Sequence, residues 1–239
     1  MRIQPELGSV SIVLIGNFNP AIFQPAWLAK HDLISSQAAE TAQIGIVHPE
    51  LTSFGIEGSF TLQVERERFA IDRTIAPFIV ISDMACKIFE ELLPHTPIKK
   101  LGINRLIHFD AGSPEIRDRI GERLAPREPW GEWGTLVSSG EGRLHGGLRA
   151  ITMIQNNVSD RPAGWIQAKL EPSLRIKGGR SGIFMEVNDH YEVSAAEDAG
   201  EIIAILAANF DRSIRNSENI IDQIMGLVHE HAVAQPEPH

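Results

Sequence analysis

Apolar residues recur at steps of three and four near the end of the chain, at Ile203, Leu206, Phe210, Ile214, Ile221, Ile224 and Val228, with Ser217 in the same row. That spacing predicts one stripe along an α-helix. Two consecutive steps of four follow Leu206, which breaks a strict heptad and argues against a continuous coiled coil. Asn216, Ser217 and Asn219 are poor helix formers and put a joint near Asn216. The expectation is a long bent helix or a helix pair laid across the domain's own sheet. Its far end, Ile220 to Val228, is the part suited to a contact between subunits.

The rest of the chain alternates between strand and helix signals. Val10 to Ile15 is a β-branched run closed by Gly16-Asn17, so it reads as a buried strand and a turn. Pro25 suits the first turn of a short helix through Trp27, Leu28 and Leu33. Ile44 to His48 and Ser59 to Glu67 read as strands, the second with Phe60, Leu62 and Val64 on one face. Pro77 opens a helix that ends at Pro94, and Lys100 to Phe109 returns as a strand. Arg105 is the odd member of its row, between Leu101, Ile103, Ile107 and Phe109. Ser113-Pro114-Glu115 supplies a capping hydroxyl, a first-turn proline and an acid at the positive dipole end for a helix to Leu124. Leu148 to Gln155, Gly164 to Leu170 and Ile183 to Val193 read as an antiparallel run.

These elements predict an α+β fold, a mostly antiparallel sheet packed by helices, as a single domain over residues 1–232 with a flexible tail at 233–239. The glycine-rich loop at 126–147 is where an internal boundary would fall. No apolar run reaches the eighteen or so residues of a membrane span, and no charged-then-apolar leader precedes Gly8, which points to the cytosol. The net charge of −9 argues against general nucleic-acid binding. The single cysteine, Cys86, excludes an intramolecular disulfide and a cysteine-based zinc site, and its apolar neighbours suggest burial on a helix.

Candidate chemistry is sparse. His108 and Asp110 share one strand face, and Asp189-His190-Tyr191-Glu192 is the densest titratable cluster, able to supply an acid or base near neutral pH or simply to face water. Arg175, Lys177 and Arg180 surround glycines that aim amides at an anion or only close a hairpin turn. Trp130 and Trp133 lie among glycines, where tryptophan anchors a partner or plugs the sheet. Phe18, Phe23 and Trp27 pose the same question. His229 and His231 are two apart on a helix and make poor joint ligands. No metal, cofactor or nucleophile-elbow motif is present.

Arg66 to Phe69 before the Pro77 helix, Leu101-Gly102-Ile103-Asn104-Arg105 on a strand, and Phe184 to Asp189 leading into Phe210 and Ile214 resemble a sporadically distributed bacterial family of about this length with no assigned activity. The chain departs from it at Asn19-Pro20-Ala21, where the family tends to have a proline pair and an acid. The resemblance implies a bacterial α+β protein without a known catalytic site. The functional expectation is a non-catalytic interaction or scaffold protein that associates with itself or another subunit, with Trp130, Trp133, Ile220, Ile224 and Val228 as interface. The alternative is a small-molecule or anion-binding protein, or a hydrolase, that uses the His108, Asp110, Asp189 and His190 cluster.

Overall fold

The computed structural model describes residues 4–137, 147–161, 163–176, 180–194 and 197–232. Nine strands form one antiparallel sheet: β1 (Leu7–Gly16), β2 (Gln43–His48), β3 (Leu51–Ile56), β4 (Phe60–Glu65), β5 (Arg68–Arg73), β6 (Ile98–Asp110), β7 (Ile151–Gln155), β8 (Gly164–Pro172) and β9 (Gly182–Glu192). Their spatial order is β2-β3-β4-β5-β1-β6-β9-β8-β7. Strands from before and after the 126–147 loop are therefore neighbours, since β6 pairs with both β1 and β9. One sheet runs through both halves of the chain.

The helices are α1 (Pro25–Lys30), α2 (Ser36–Glu40), α3 (Ile79–Cys86), α4 (Pro114–Leu124), α5 (Gly131–Val137) and α6 (Gly200–Ala232). A π-helical turn, Lys87–Leu92, continues α3. Ser113 caps α4 as its sequence suggests, with Oγ accepting the Ile116 amide at 3.3 Å. No joint divides α6, which runs for 33 residues. Asn216 and Asn219 stay outside its buried stripe, and the tertiary packing of that stripe outweighs their weak propensity. Leu51–Ile56 and Arg68–Arg73 are strands that the sequence pattern did not reveal, and Gly131–Val137 is helical within what read as loop. The tail at 233–239 and the segment 138–146 lie outside the described residues.

Alternate residues of the strands between the two edges face the helices. Val10, Ile12 and Leu14 of β1 are fully buried there, beside Leu101, Ile103, Ile107 and Phe109 of β6. The apolar groups fall into two clusters. The first joins β1, β3, β4 and β5 to α3 and to Ile202, Ile203, Leu206 and Phe210 of α6, with Phe18, Phe23, Phe69 and Phe89 packed ring against ring. The second joins the ends of β6 and β9 to α4 and to Ile221, Met225 and Val228. Among the described helices only α6 runs through both.

Between the clusters the stripe of α6 becomes Ser213 and Ser217, both buried, and here Arg105 rises from β6. Its Nε donates to Glu218 Oε1 of α6 at 2.6 Å, and one terminal nitrogen donates to the Ser9 and Leu106 carbonyls at 3.1 and 2.9 Å. The guanidinium also lies 5.3 Å from the Phe78 ring. A buried guanidinium without its carboxylate is strongly destabilising, whereas replacing both partners by apolar groups of similar size is nearly neutral. Because Glu218 keeps 23% exposure, Glu218→Ala is expected to lower stability by about 2 to 3 kcal/mol in urea denaturation. The double variant Arg105→Met with Glu218→Leu should recover most of that loss.

Candidate functional site

Antiparallel pairing places the residues between the core positions on the opposite, open face of the sheet. The registers of β8, β9, β6, β1, β5 and β4 align Gln167, Asn188, Asn104, Ser11, Asp72 and Thr61 in one row. Six adjacent strands thus contribute an amide, hydroxyl or carboxyl group to a single line. Asn104 Nδ2 donates to Ser11 Oγ at 3.2 Å, and Ser11 in turn hydrogen-bonds the Asp72 carboxyl. Asn188 Oδ1 is shielded from solvent and has no protein hydrogen-bond partner. Such an orphan acceptor costs stability unless something else donates to it.

The next row is Trp165, His190, Gly102, Val13 and Ala70. Its centre is small and its end is large. The Trp165 and His190 rings stack 4.6 Å apart at 17°, forming an aromatic wall. Gly102 leaves open the space beside Asn188, since a Cβ there would stand 3.4 Å from Oδ1. The result is a concave trough of about 460 Å³ across the middle of the open face. Arg68, Lys100, Asp72 and Glu186 line it, two cations and two carboxylates whose charges cancel.

Burial raises the Asp72 carboxyl above its ordinary value, against the opposing Arg68 charge and the Ser11 hydrogen bond. Burial also pushes the His190 imidazole down, in spite of Glu192 at 3.8 Å. The Glu192 carboxylate is held low by the Lys100 ammonium at 3.1 Å.

The structure divides the residues singled out from the sequence. Asp189 and His190 are consecutive on β9 and point to opposite faces. Asp189 is buried on the helix side, where Tyr191 Oη donates to it at 3.1 Å and Arg161 pairs with it. The Arg161 guanidinium lies 3.9 Å from the Tyr191 ring and also pairs with Asp160, which binds Arg212 of α6 at 2.8 Å. Burial and the Asp189 carboxylate push the Tyr191 phenol up to about 12, against the Arg161 and Arg212 guanidinium groups. Asp189 is therefore a structural acid that ties the β7–β8 connection to β9, and Asp160 extends the tie to α6.

His108 shares the open face with His190 but lies six residues along β6 from the position opposite it, roughly 20 Å away. It stacks on Phe184 and sits 2.8 Å from Ser173 Oγ through Nδ1. Burial and the Arg175 charge keep its imidazole below the usual value. A hydroxyl beside a neutral imidazole has the geometry of a nucleophile and base. Ser173, however, is 1% exposed and its hydroxyl also accepts the Arg175 amide, and both residues border a hollow of about 330 Å³ between β6, β8 and β9 that is separate from the trough. Asp110 accepts the Gly112 amide at 2.8 Å and shapes the turn after β6.

Of the basic turn, Arg175 and Arg180 are exposed, and Lys177 with Gly178 and Gly179 lies outside the described residues. Trp130, at the end of a 3-10 turn before α5, and Trp133, within α5, are 61% and 59% exposed, with Leu136 further along. Phe18 and Phe23 belong to the first core, with Trp27 packed against it. Val228 is buried and Ile220 and Ile224 are half-buried against the second core, so this end of α6 is covered by its own sheet. The side chains of His229 and His231 lie outside the described residues. Cys86 is half-buried, and burial beside Glu90 pushes its thiol up to about 11. Among the described residues no group of three or more His, Cys, Asp or Glu is placed to hold a metal ion, and no helix is long and apolar enough to cross a membrane.

The polar row itself is not legible in the sequence, because its members are one per strand. No family model and no curated protein matches the chain.

The His108 and His190 imidazoles are both depressed in the folded chain. The unfolded chain protonates near the ordinary value of 6.5, and the folded chain only at lower pH. Their stabilising contribution is therefore present above 6.5 and is lost as pH falls through the folded values. Asp72 acts in the opposite sense, favouring the folded state below 3.8 and losing that contribution as pH rises through its elevated value. Melting temperature is expected to fall from about pH 7.5 to about pH 5.5, and His190→Gln should make that fall shallower.

Proposed function

We propose that the protein is a non-catalytic, cytosolic binding protein whose open-face trough takes a small, neutral, planar molecule with adjacent hydrogen-bond donors and acceptors. The observation that carries this reading is the solvent-shielded Asn188 Oδ1, an acceptor without a partner in a concave site. Concave sites with a few convergent polar groups are the usual form of small-molecule sites.

The ligand class follows from the lining. Asn104 and Asn188 each offer a donor and an acceptor, matching a cyclic amide edge. The cancelling charges favour a neutral molecule over an anion. The stacked Trp165 and His190 rings favour a flat molecule lying beside them. Nothing in the trough is arranged to break a covalent bond: its one imidazole faces no nucleophile, and Asp189 is turned away.

Uracil and nicotinamide are suitable probes, since both are neutral, planar and carry an amide edge. Saturation-transfer NMR is expected to show binding to the full-length protein at about millimolar affinity, equivalent to about 4 kcal/mol. Gly102→Val places a branched side chain on the trough floor and should abolish the signal without changing the melting temperature by more than a few degrees. No signal from the native protein with either probe, or equal signal from the variant, rejects the reading.

A further inference from the structure

The hydrogen bonds along the polar row run in one direction. Asp72, beside the Arg68 charge, ends the chain with a carboxylate that only accepts. Ser11 has a single proton and gives it to Asp72, so its oxygen is left to accept. Asn104 meets that oxygen with its amide nitrogen, Nδ2 donating to Ser11 Oγ at 3.2 Å. Ser11 and Asn104 are both buried, which keeps water from replacing either partner. Turning the Asn104 amide over would set its oxygen against a hydroxyl with no proton to spare. The orientation of this amide on β6 is therefore decided two strands away, on β5.

The Asn104 and Asn188 amides meet over Gly102. A Cβ built there would lie 3.6 Å from Asn104 Nδ2 and 3.4 Å from the unpartnered Asn188 Oδ1. A ligand atom in that space faces a donor on the β6 side and an acceptor on the β9 side. Asn104 Nδ2 carries two protons, and Ser11 takes only one of them. We infer that Ser11 and Asp72 are positioning residues, which hold Asn104 as a donor and so make the trough select ligands by a hydrogen-bond acceptor over Gly102. This rests on the trough being a ligand site. A carbonyl oxygen or a ring nitrogen meets the requirement. A ligand with donors alone brings a proton against a proton and pairs with Asn188 only.

Saturation-transfer NMR on the full-length protein can compare pyridine N-oxide, which only accepts, with aniline, which is uncharged at neutral pH and mainly donates. The two are planar and of similar size. The native protein is expected to bind the N-oxide about tenfold more tightly. Ser11→Ala and Asp72→Asn release the Asn104 amide, and each should bring the two affinities to within about twofold of each other. Ser11→Thr keeps the hydroxyl and should keep the preference. A general loosening of the trough weakens both probes alike and leaves their ratio as it was. Loss of the Asp72 charge alone favours the N-oxide oxygen, which is the opposite change. If uracil binds but the N-oxide is not preferred over aniline, or if the ratio is unaltered in Ser11→Ala, the assignment is overturned and the trough stands as a site. Absence of binding by all three probes rejects both.

Discussion

The ion pair between Arg105 and Glu218 is the constraint around which the rest of the molecule is arranged. A guanidinium inside a helix–sheet interface needs its carboxylate and its carbonyl acceptors close at hand, and those partners come from β1, β6 and α6. It fixes where along its length the long helix crosses the sheet, and which residues of its stripe are small. Ser213 and Ser217 take the positions nearest that crossing, and large apolar side chains resume on either side. An apolar stripe alone would allow the helix to slide by a turn. The buried charge does not.

Helix α6 and the other helices packed into the two cores occupy one face, and the other face is left to carry chemistry. A half-open antiparallel sheet exposes every second residue of every strand, and cross-strand register turns those residues into rows. In the row through Ser11 the groups are polar from β8 to β4, and in the adjacent row the centre is reduced to Gly102, Val13 and Ala70. Polar atoms and hollow space are thereby adjacent. The same sheet geometry that closes the cores on one side opens a site on the other.

Features confined to one element were legible in the sequence. The stripe of α6, the cap of α4, the alternation of β1 and β4 and the anomaly of Arg105 each depend on near neighbours along the chain. β3 and β5 were hidden because Thr52 and Arg73 stand on their buried faces and break the apolar alternation, and hairpin pairing with β4 supplies what their own pattern lacks. Asn216 misled for the reverse reason, since a weak helix former on the outer face is carried by buried residues around it. The dense cluster from Asp189 to Glu192 looked like one site because its members are consecutive, but a strand sends consecutive side chains to opposite faces. Six residues drawn from six strands leave no mark on any single stretch, so the polar row becomes visible only once register is known.

The polar crossing also sets how the molecule comes apart. Two apolar clusters lie on either side of this band of charged and hydroxyl groups, joined by β6, β9 and α6, so local opening is expected to begin in one before the other. The second is the smaller, and it holds α4 and the last turns of α6. Loss of that cluster frees the helix from Ile221 onward while Ile203, Leu206 and Phe210 keep its first half docked. The crossing at Glu218 thus divides one unbroken helix into two lengths held by different cores. Amide protons beyond it are expected to exchange with solvent before those preceding it.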